Sequence, residues 1–378
     1  MKIPLSRPDI TNKEISAIVA VLKTPHLSLG PKLPEFEKKF AQFIGTKHAL
    51  AVNSGTSGLH LCVRALDIKA GDEVITTPFS FIASANCILF EKAHPVFVDI
   101  RSDTLNIDEK AIEAKITSRT RAILPVHVFG YPPAMDAIRR IAKNHKLAVI
   151  EDACEALGAK LNGKSAGLWG DCAVFAFYPN KQMTTGEGGM VVTNNDKIAR
   201  LVASMRNQGR DEGMTWLSHA RLGYNYRLSD INCALGIAQL DRISEILKKR
   251  EKVAALYQKH LSDIPEIILP PQNKARLVRS WFVYMVQLKP KFNPLQRDAV
   301  IKRLRQKGIG CNVYFPAIHL QPLYIKDFGY KKGDFPITER VAERTIALPF
   351  FNNLTEEQIG KVAGELRKPL KEVKKIGK

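Results

Sequence analysis

The sequence has 378 residues, of which 45% are hydrophobic and 25% are charged. These proportions are typical of a globular protein with a real core, and they exclude a disordered, collagen-like or low-complexity chain. The 57 Lys and Arg residues outnumber the 37 Asp and Glu residues, which gives a formal net charge of +20. A positive field of this size favours anionic partners, and nucleic acid, a membrane surface and a phosphorylated metabolite all fit it. The length suggests two or three domains.

No segment of the sequence has the pattern of a membrane helix or a secretion signal. Apolar stretches such as residues 74–90 are interrupted by Thr, Ser, Pro and Asn, so none reaches the roughly 18 residues needed to span a bilayer. The first ten residues include Lys, Arg and two prolines but no apolar core followed by small residues. We therefore expect a cytoplasmic protein that does not enter the membrane.

The six cysteines lie at wide and irregular spacings, and no two of them form a Cys-x-x-Cys pair. This usage predicts free thiols in the core rather than a disulfide framework or a structural zinc site. We therefore expect no bound metal.

In chain order, the pattern begins with helices and then changes to alternating strands and helices. Residues 11–14 (TNKE) form a capping box that predicts a helix to about Lys23, and a second helix is predicted after Pro34. Seven apolar runs of strand length follow, at residues 48–52, 72–76, 95–100, 121–126, 147–152, 172–177 and 189–194. Helical segments between these runs lie at 82–90, 108–115 and 134–145, and another starts near Thr56. This alternation predicts an α/β fold with a large, mostly parallel seven-stranded sheet that is covered on both faces.

A long helical stretch over residues 229–261 is followed by prolines between residues 265 and 271. Because proline interrupts both helices and strands, these prolines predict a domain boundary, with a large domain over residues 1–262 and a smaller one over 263–378. In the second part, residues 281–288 have a strand pattern, and residues 294–307 and 356–371 have helical patterns. The C-terminal domain is therefore predicted to be α+β.

A turn of small residues, Asn53 to Gly58 (NSGTSG), connects the first strand to a helix. In an open α/β sheet, ligands bind at the carboxyl ends of strands, and the free amides at a helix start favour a phosphate group. The hydroxyls of Thr56 and Ser57 are placed to complete such a cradle. An ordinary N-cap turn has the same composition, so this motif alone leaves both interpretations open.

Two further motifs follow apolar strands and carry an acid and an amine. Asp152 ends the run VIED and is placed either to pair with a cationic ring nitrogen or to cap the next segment. Lys181 lies between two apolar strands, ahead of the turn TTGEGG, and is either a nucleophile in the ligand crevice or a surface residue of a hairpin. With the phosphate cradle, these are the three anchors that pyridoxal phosphate (PLP) needs: a Schiff-base amine, an acid at the ring nitrogen and an anion site.

Residues 158–165 (GAKLNGKS) match the P-loop pattern GxxxxGK[ST]. A P-loop follows a buried strand and opens a helix, so that its amides surround the phosphates. Here the sequence after Ser165 is AGLWG, which contains two more glycines and has no helical period. We interpret the match as a coincidence.

Ten sequence blocks in a fixed order give the chain a resemblance to a known enzyme family. They are PLSRPDI, LSLGPKLPEFEKKFA, NSGTSGLHL, GDEVITTPFSFIASAN, PVFVDI, VHVFG, EDACEALGA, FAFYPNKQMTTGEGGMVVTN, GYNYRLSDINCALGIAQL and FPAIHLQPLY. In these blocks, which span essentially the whole chain, the sequence resembles the DegT/DnrJ/StrS family of PLP-dependent nucleotide-sugar aminotransferases. The resemblance implies the aspartate-aminotransferase-like fold (PLP-dependent transferase fold type I), in agreement with the alternating pattern.

The resemblance implies cofactor-binding roles for particular residues. Lys181 is implied to be the Schiff-base lysine, and Asp152 the partner of the pyridine nitrogen. Phe81 matches the aromatic residue that stacks on the ring, and Thr56 and Ser57 match the phosphate site. Some relatives carry histidine in place of the lysine and dehydrate sugars, so the presence of Lys181 favours transamination.

The remaining matches concern the second subunit and the substrate side. Asn225 resembles the residue that reaches the phosphate of the neighbouring subunit's cofactor, which implies a homodimer with shared active sites. Glu155 lies where many members have Gln near the cofactor's ring oxygen. His127 and His319 fall in blocks that line the site, where each is either a substrate residue or a packed structural histidine. Ala176 differs from the residue that many members have, which is a serine five residues before the lysine. The hydrogen bond from that serine to the phosphate is therefore either missing here or made by another group.

The resemblance implies transfer of an amino group from glutamate to a keto-sugar linked to a nucleoside diphosphate, with a 4-keto-6-deoxy sugar as the first choice. The product would serve the synthesis of polysaccharides or glycoconjugates. A 3-keto sugar or a cyclitol ketone is the alternative substrate. The charge also suggests a nucleic-acid-binding regulator, but the sequence has no helix-turn-helix, zinc-finger or RNP pattern. Because the cofactor and the sugar nucleotide are both anionic, they account for the basic composition without a nucleic acid partner.

Overall fold

The computed structural model describes residues 2–215 and 217–376. Its strands are, in chain order, β1 (His48–Val52), β2 (Glu73–Thr76), β3 (His94–Phe97), β4 (Thr120–Ile123), β5 (Ala148–Asp152), β6 (Lys160–Leu161), β7 (Lys164–Ser165), β8 (Cys172–Ala176), β9 (Gly189–Thr193), β10 (Ile267–Ile268), β11 (Leu277–Val278), β12 (Tyr284–Leu288) and β13 (Thr345–Leu348). Seven of them form one sheet, in the order β1-β9-β8-β5-β4-β2-β3. β9 is antiparallel to both of its neighbours, and the other neighbouring pairs are parallel. The mostly parallel seven-stranded sheet is therefore confirmed.

The helices are, in chain order, α1 (Asn12–Leu22), α2 (Lys32–Ile44), α3 (Gly55–Ala65), α4 (Ala83–Leu89), α5 (Met135–Asn144), α6 (Asp196–Arg206), α7 (Asp230–Asp241), α8 (Ile243–Leu261), α9 (Pro294–Gln306), α10 (Pro322–Phe328), α11 (Pro336–Ala342) and α12 (Glu356–Ile376). The capping box is confirmed at the start of α1, where the Glu14 carboxylate accepts a hydrogen bond from the Thr11 backbone N–H at 2.7 Å. α2 begins earlier than predicted, so that Pro34 stands in its first turn.

Two predicted helical segments have a different form in the structure. The stretch over residues 229–261 is divided at Arg242, which has φ −104° and ψ 5°. α7 packs against α1 and α2, whereas α8 packs against α12, so the two helices belong to different layers. The segment 108–115 forms two single-turn 3-10 helices in place of an α-helix.

Helices cover both faces of the large sheet. The side chains of β8 divide between them, because Cys172 and Val174 pack with α3, α4 and α6, whereas Ala173 and Phe175 pack with α2 and α7. Every residue of β9 is buried, as expected for a strand with a helical layer on each side. The loops that leave the carboxyl ends of the parallel strands therefore gather at one edge of the sheet, which positions the site described below.

A second core is built on the three-stranded sheet β10-β12-β13, against which α8, α9 and α12 pack. Ile3 belongs to the same core and forms a short parallel bridge with Ile309. The C-terminal half of α8 contributes Val253, Tyr257 and Leu261. The C-terminal part is thus α+β, but its core also draws on residues from the first part of the chain. The proposed domain boundary stays a prediction.

The segment that matches the P-loop pattern forms a β-hairpin. β6 and β7 pair in antiparallel orientation across Asn162 and Gly163. These two turn residues have φ of 51° and 76°, the left-handed pair typical of a tight hairpin turn. A P-loop needs a helix directly after its glycine turn, and here a strand follows. The interpretation of the match as a coincidence is confirmed.

The six cysteines are free thiols, of which five are buried and Cys154 is partly exposed. Across residues 2–215 and 217–376, no helix combines the length and the apolar composition that a bilayer crossing needs. Within the same ranges, no three His, Cys, Asp or Glu side chains form a group that could hold a metal ion.

A buried ion pair ties the N-terminal segment to the junction between α7 and α8. Glu14 is fully buried, and its Oε1 accepts hydrogen bonds from Arg242 Nη1 at 2.7 Å and from Gln239 Nε2 at 2.9 Å. Burial raises the pKa of the Glu14 carboxyl, but hydrogen bonds from Thr11, Arg242 and Gln239 outweigh it and lower the pKa to about 2. The pair therefore stabilises the fold only while Glu14 is ionised.

We predict that Glu14→Gln lowers the free energy of unfolding by about 3 kcal/mol at neutral pH, because Arg242 loses its closest buried counter-charge. Ionised Glu14 stabilises the fold above its ordinary pKa of 4.5, and this contribution is lost as the pH falls toward about 2. The difference between wild type and variant should therefore shrink between neutral pH and about pH 3 in urea denaturation.

Glu35→Gln is the control, because it removes a half-exposed pair with Lys32 and should change the free energy of unfolding by less than about 1 kcal/mol. A difference between wild type and Glu14→Gln that stays constant with pH would contradict the prediction.

Candidate active site

A cavity of about 510 Å³ lies at the edge of the large sheet where the carboxyl ends of its parallel strands meet. Its walls include residues that follow β1, β2, β4, β5 and β8, together with the segment that leads into the antiparallel β9. It brings together five of the residues predicted from the sequence, namely Thr56, Phe81, Asp152, Glu155 and Lys181. The volume is in the range that holds a small ligand or a cofactor.

The Lys181 amine is inside this cavity and not on a solvated hairpin. The Lys181 backbone N–H donates to the Tyr178 carbonyl at 2.9 Å, in a turn just after β8. Lys181 Nζ lies 3.6 Å from Glu155 Oε1 and 4.0 Å from the centre of the Phe282 ring. Of the two interpretations that the sequence left open, this placement fits a nucleophile in a ligand crevice.

Asp152 ends β5 and lines the same cavity, with 5% of its surface exposed. Its Oδ2 accepts a hydrogen bond from Ser84 Oγ at 2.7 Å, and its Oδ1 accepts one from the Cys154 backbone N–H at 3.1 Å. Ser84 lies in the first turn of α4, and its hydroxyl is 2.8 Å from Ser80 Oγ. The Ser84 hydroxyl and the Cys154 N–H therefore fix the orientation of the carboxylate. A carboxylate that pairs with one ring nitrogen needs a fixed orientation of this kind.

The turn between β1 and α3 has the geometry of an anion site. Ser54 caps the helix, because its Oγ accepts a hydrogen bond from the Ser57 backbone N–H at 3.1 Å. Gly55 and Thr56 line the cavity in the first turn, where backbone N–H groups have no partners within the helix. A Cβ at Gly55 would lie 2.8 Å from the Ala176 Cβ, so only glycine lets this backbone approach β8. The Ser57 hydroxyl bonds to Ser54 Oγ at 2.9 Å, and Ser57 is not in the cavity wall.

Glu155 is the second buried acid of the cavity and lies beside the lysine. Its Oε2 accepts a hydrogen bond from the Phe129 backbone N–H at 2.8 Å. Burial raises the pKa of the Glu155 carboxyl above its ordinary value, although the nearby Lys181 amine and the Phe129 N–H act in the opposite direction. Glu155 therefore holds its proton to higher pH than an exposed glutamate does.

Aromatic side chains form the mouth and one wall of the cavity. Phe81 and Tyr178 stand at the mouth and are 61% and 51% exposed. Phe282, Tyr314 and Phe315 reach the cavity from the C-terminal part of the chain. The face of an aromatic ring is suited to stacking on a flat ligand, and the position of Phe81 fits the stacking role that its sequence block implies.

Ser84, Phe282 and Tyr314 line the cavity but were not predicted from the sequence. Ser84 follows β2 in the chain, and the rule that ligands bind after parallel strands could have found it. Phe282 and Tyr314 follow no strand of the large sheet and carry no such signal. They meet the cavity only because the C-terminal part of the chain folds over it.

The two histidines proposed as substrate residues lie outside the cavity wall. His127 Nε2 is 3.0 Å from Glu151 Oε2, and His319 Nε2 is 3.0 Å from Glu339 Oε1. Both imidazoles are fully buried. Burial lowers the pKa of His319, although the nearby Glu339 carboxylate acts in the opposite direction. These contacts fit the alternative of packed structural histidines.

Asn225 also lies outside the cavity of its own chain. It is exposed, and its backbone carbonyl accepts a hydrogen bond from Asn53 Nδ2 at 3.3 Å, next to the turn that starts α3. The rings on either side of it, Tyr224 and Tyr226, stack with their centres 4.8 Å apart. Asn225 is thus held at the surface, where a neighbouring molecule can meet it.

The residues of the cavity fit PLP. An amine at Lys181, an acid at Asp152 and free helix amides at Gly55 and Thr56 lie around one cavity, and Phe81 adds an aromatic face. These are the groups that an aldehyde, a ring nitrogen, a phosphate and a flat ring would contact.

The chain matches the model of the DegT/DnrJ/EryC1/StrS aminotransferase family over residues 8–367. It is 41% identical to the uncharacterized protein MJ1066 of Methanocaldococcus jannaschii, over 98% of each chain. It is 38% identical to the spore coat polysaccharide biosynthesis protein SpsC of Bacillus subtilis, over 97% of this chain and 96% of that protein. It is also 38% identical to the GDP-perosamine synthase of Caulobacter vibrioides, over 97% of each chain.

Solved structures agree with these relatives. Helicobacter pylori PseC, an aminotransferase involved in the biosynthesis of pseudoaminic acid, is 30% identical with a TM-score of 0.94, over 98% of this chain and all (100%) of that one. The PLP-form of Spr1654 from Streptococcus pneumoniae is 26% identical with a TM-score of 0.94, over 99% of this chain and 100% of that one. Fold type I and the PLP cofactor are thereby confirmed. The chain belongs to the DegT/DnrJ/EryC1/StrS aminotransferase family and is a PLP-dependent sugar aminotransferase.

Proposed function

We propose that this enzyme moves an amino group from glutamate to a keto-sugar linked to a nucleoside diphosphate, with a 4-keto-6-deoxy sugar as the acceptor. The position of the Lys181 amine, in one cavity with Asp152 and an anion site, carries the proposal. Similarity to a GDP-perosamine synthase supports a nucleotide-linked sugar, and similarity to SpsC supports a role in polysaccharide synthesis.

The cofactor and the protein have separate tasks in this reaction. PLP, when bound, supplies an aldehyde that takes up the amino group and a ring that holds the electron pair freed by proton loss. Lys181 holds the aldehyde between turnovers, and its amine, once displaced, moves the proton from the donor Cα. Asp152 keeps the ring nitrogen protonated, and the amides at the start of α3 hold the phosphate.

The cavity wall of one chain does not balance the charge of a sugar diphosphate. Among the described residues that line it, Lys181 is the only cation and stands with three carboxylates. We therefore propose a homodimer, in which Asn225 of each chain reaches the phosphate of its partner's cofactor and further cations come from the shared interface. Leu222 is 67% exposed three residues before Asn225, and a second copy would cover it.

We predict that Lys181→Ala removes the yellow colour of the purified enzyme and slows amino transfer at least about 1,000-fold, because the amine that holds the aldehyde and moves the proton is lost. Transfer is measured as 2-oxoglutarate released from glutamate in the presence of a keto-sugar. Lys160→Ala, in the exposed β6–β7 hairpin, is the matched control and should keep both colour and rate. Borohydride reduction and peptide mapping should label residue 181 of the wild type, and a label on another lysine would refute the assignment.

The same assay identifies the acceptor. We predict that a nucleotide-linked 4-keto-6-deoxy sugar gives a higher kcat/KM than a nucleotide-linked 3-keto sugar or a free cyclitol ketone. A higher value with either of the latter two would replace the proposed acceptor. Failure of glutamate alone to release one equivalent of 2-oxoglutarate per active site would reject it as the donor, because this half of the reaction needs no ketone.

Glu155→Gln is predicted to make the cofactor-free protein more stable than the wild type at neutral pH. Because the pKa of Glu155 is raised by burial, its ionised form is disfavoured in the fold, and the free energy of unfolding falls as the pH rises above the ordinary value of 4.5. Glutamine avoids this penalty and still accepts the hydrogen bond from the Phe129 N–H. Amino transfer should be slower, because the charge beside Lys181 is lost.

Urea denaturation at neutral pH and at about pH 4 measures the effect, which should nearly vanish in acid, where wild-type Glu155 is itself neutral. Glu187→Gln, at the exposed mouth of the cavity, is the control and should leave the free energy of unfolding unchanged. A Glu155→Gln variant that is less stable than the wild type at neutral pH would contradict the prediction.

A further inference from the structure

Arg250, on α8, is a buried cation that has no acidic partner in the described part of the chain. Its guanidinium donates to the backbone carbonyls of Trp281 at 2.6 Å and Phe282 at 2.7 Å, and to Asn352 Oδ1 at 2.9 Å. A longer contact of 3.5 Å reaches the Asn180 carbonyl. Burial lowers the pKa of Arg250 to about 9, which reflects the unfavourable free energy of holding this charge away from water.

Two of these acceptors belong to residues that adjoin Lys181. Asn180 precedes Lys181 in the chain, and the Phe282 ring lies 4.0 Å from Lys181 Nζ. Asn180 and Phe282 both line the cavity. The Arg250 guanidinium therefore contacts both the loop that carries the Lys181 amine and the segment whose Phe282 ring faces that amine. It connects both of them to α8.

Arg242, at the start of the same helix, is a buried arginine with a different arrangement. Arg242 is also buried, but its guanidinium pairs with Glu14 at 2.7 Å. A buried charge without such a partner is unfavourable, and an apolar side chain of similar volume is often a better structural solution. An apolar residue at position 250 would, however, leave several carbonyls beside the cavity without a donor. Only arginine has a planar fork that can satisfy them together.

We propose that Arg250 is a positioning residue that sets the place of the Lys181 amine in the cavity. The inference rests on the role proposed above for Lys181. Arg250 itself touches neither the cofactor nor the substrate and acts through the Asn180 and Phe282 backbone. A misplacement of about 1 Å slows a reaction about 100-fold, so such a residue controls the rate at which the amine reacts.

The experiment follows the reaction of PLP with the full-length chain after its cofactor has been removed. In this reaction the Lys181 nitrogen bonds to the aldehyde carbon and water leaves. Stopped-flow absorbance separates initial binding of PLP, which depends on its concentration, from the first-order formation of the carbon–nitrogen double bond. For Arg250→Lys, we expect the first-order step to be at least about tenfold slower, with the dissociation constant of initial binding within about twofold of wild type.

Arg242→Lys is the matched control, because it makes the same exchange at a buried arginine that is hydrogen-bonded to neither Asn180 nor Phe282. It should leave the first-order step unchanged. An Arg250→Lys step as fast as that of wild type, or slowed no more than by Arg242→Lys, would overturn the proposal.

Asn352→Ala replaces Arg250→Lys if the latter does not fold. This variant keeps the arginine and removes the side-chain acceptor that holds its guanidinium against the Asn180 and Phe282 carbonyls. A slower first-order step is expected, and its absence would overturn the proposal. A wild-type chain that forms no carbon–nitrogen double bond with PLP would refute the proposed function instead, so the two failures are distinguishable.

Discussion

The contacts of one amine, Lys181 Nζ, are the constraint on which the rest of the site depends. This atom stands 3.6 Å from a buried carboxylate and 4.0 Å from the centre of an aromatic ring, in a cavity formed where parallel strands end. A parallel sheet brings the carboxyl ends of its strands to one edge, so segments far apart in the sequence can supply an amine, an acid and a phosphate cradle to one ligand. The serine that orients Asp152 and the cap on α3 both serve to hold these groups in a fixed relation.

Buried charge is used in two different ways in this fold. Outside the cavity wall, Arg242 and Glu14 neutralise each other and join the N-terminal segment to α8. In the cavity wall, Glu155 is held where ionisation is unfavourable. Arg250, which bonds to two residues of that wall, is a cation bound only to neutral acceptors. Ionisable groups with shifted pKa values gather at reactive sites, where the arrangement needed for chemistry differs from the one that gives greatest stability.

The sequence predicted the large sheet well, because its strands are buried on both faces and appear as nearly continuous apolar runs. It did not predict the break in the helical stretch at Arg242, since the helical periodicity continues through that residue. The division arises from packing, because α7 lies on α1 and α2 while α8 joins the second core. Nor did it show that Ile3 would pack into the core of the C-terminal part. Contacts between the two ends of a chain leave no local pattern.

The sequence by itself determined the large sheet and placed Thr56, Asp152 and Lys181 after strand ends, because strand patterns are local properties. The order of its sequence blocks gave the resemblance that implied the family and the cofactor. Only the tertiary structure decided that His127 and His319 pair with glutamates away from the cavity wall. It also decided that the Phe282 ring lies beside the lysine and that Arg250, on α8, contacts the carbonyl of Asn180, the residue before the lysine. The physical reason is that the direction and the partners of a side chain depend on how distant segments pack. Spacing along the chain does not encode that packing.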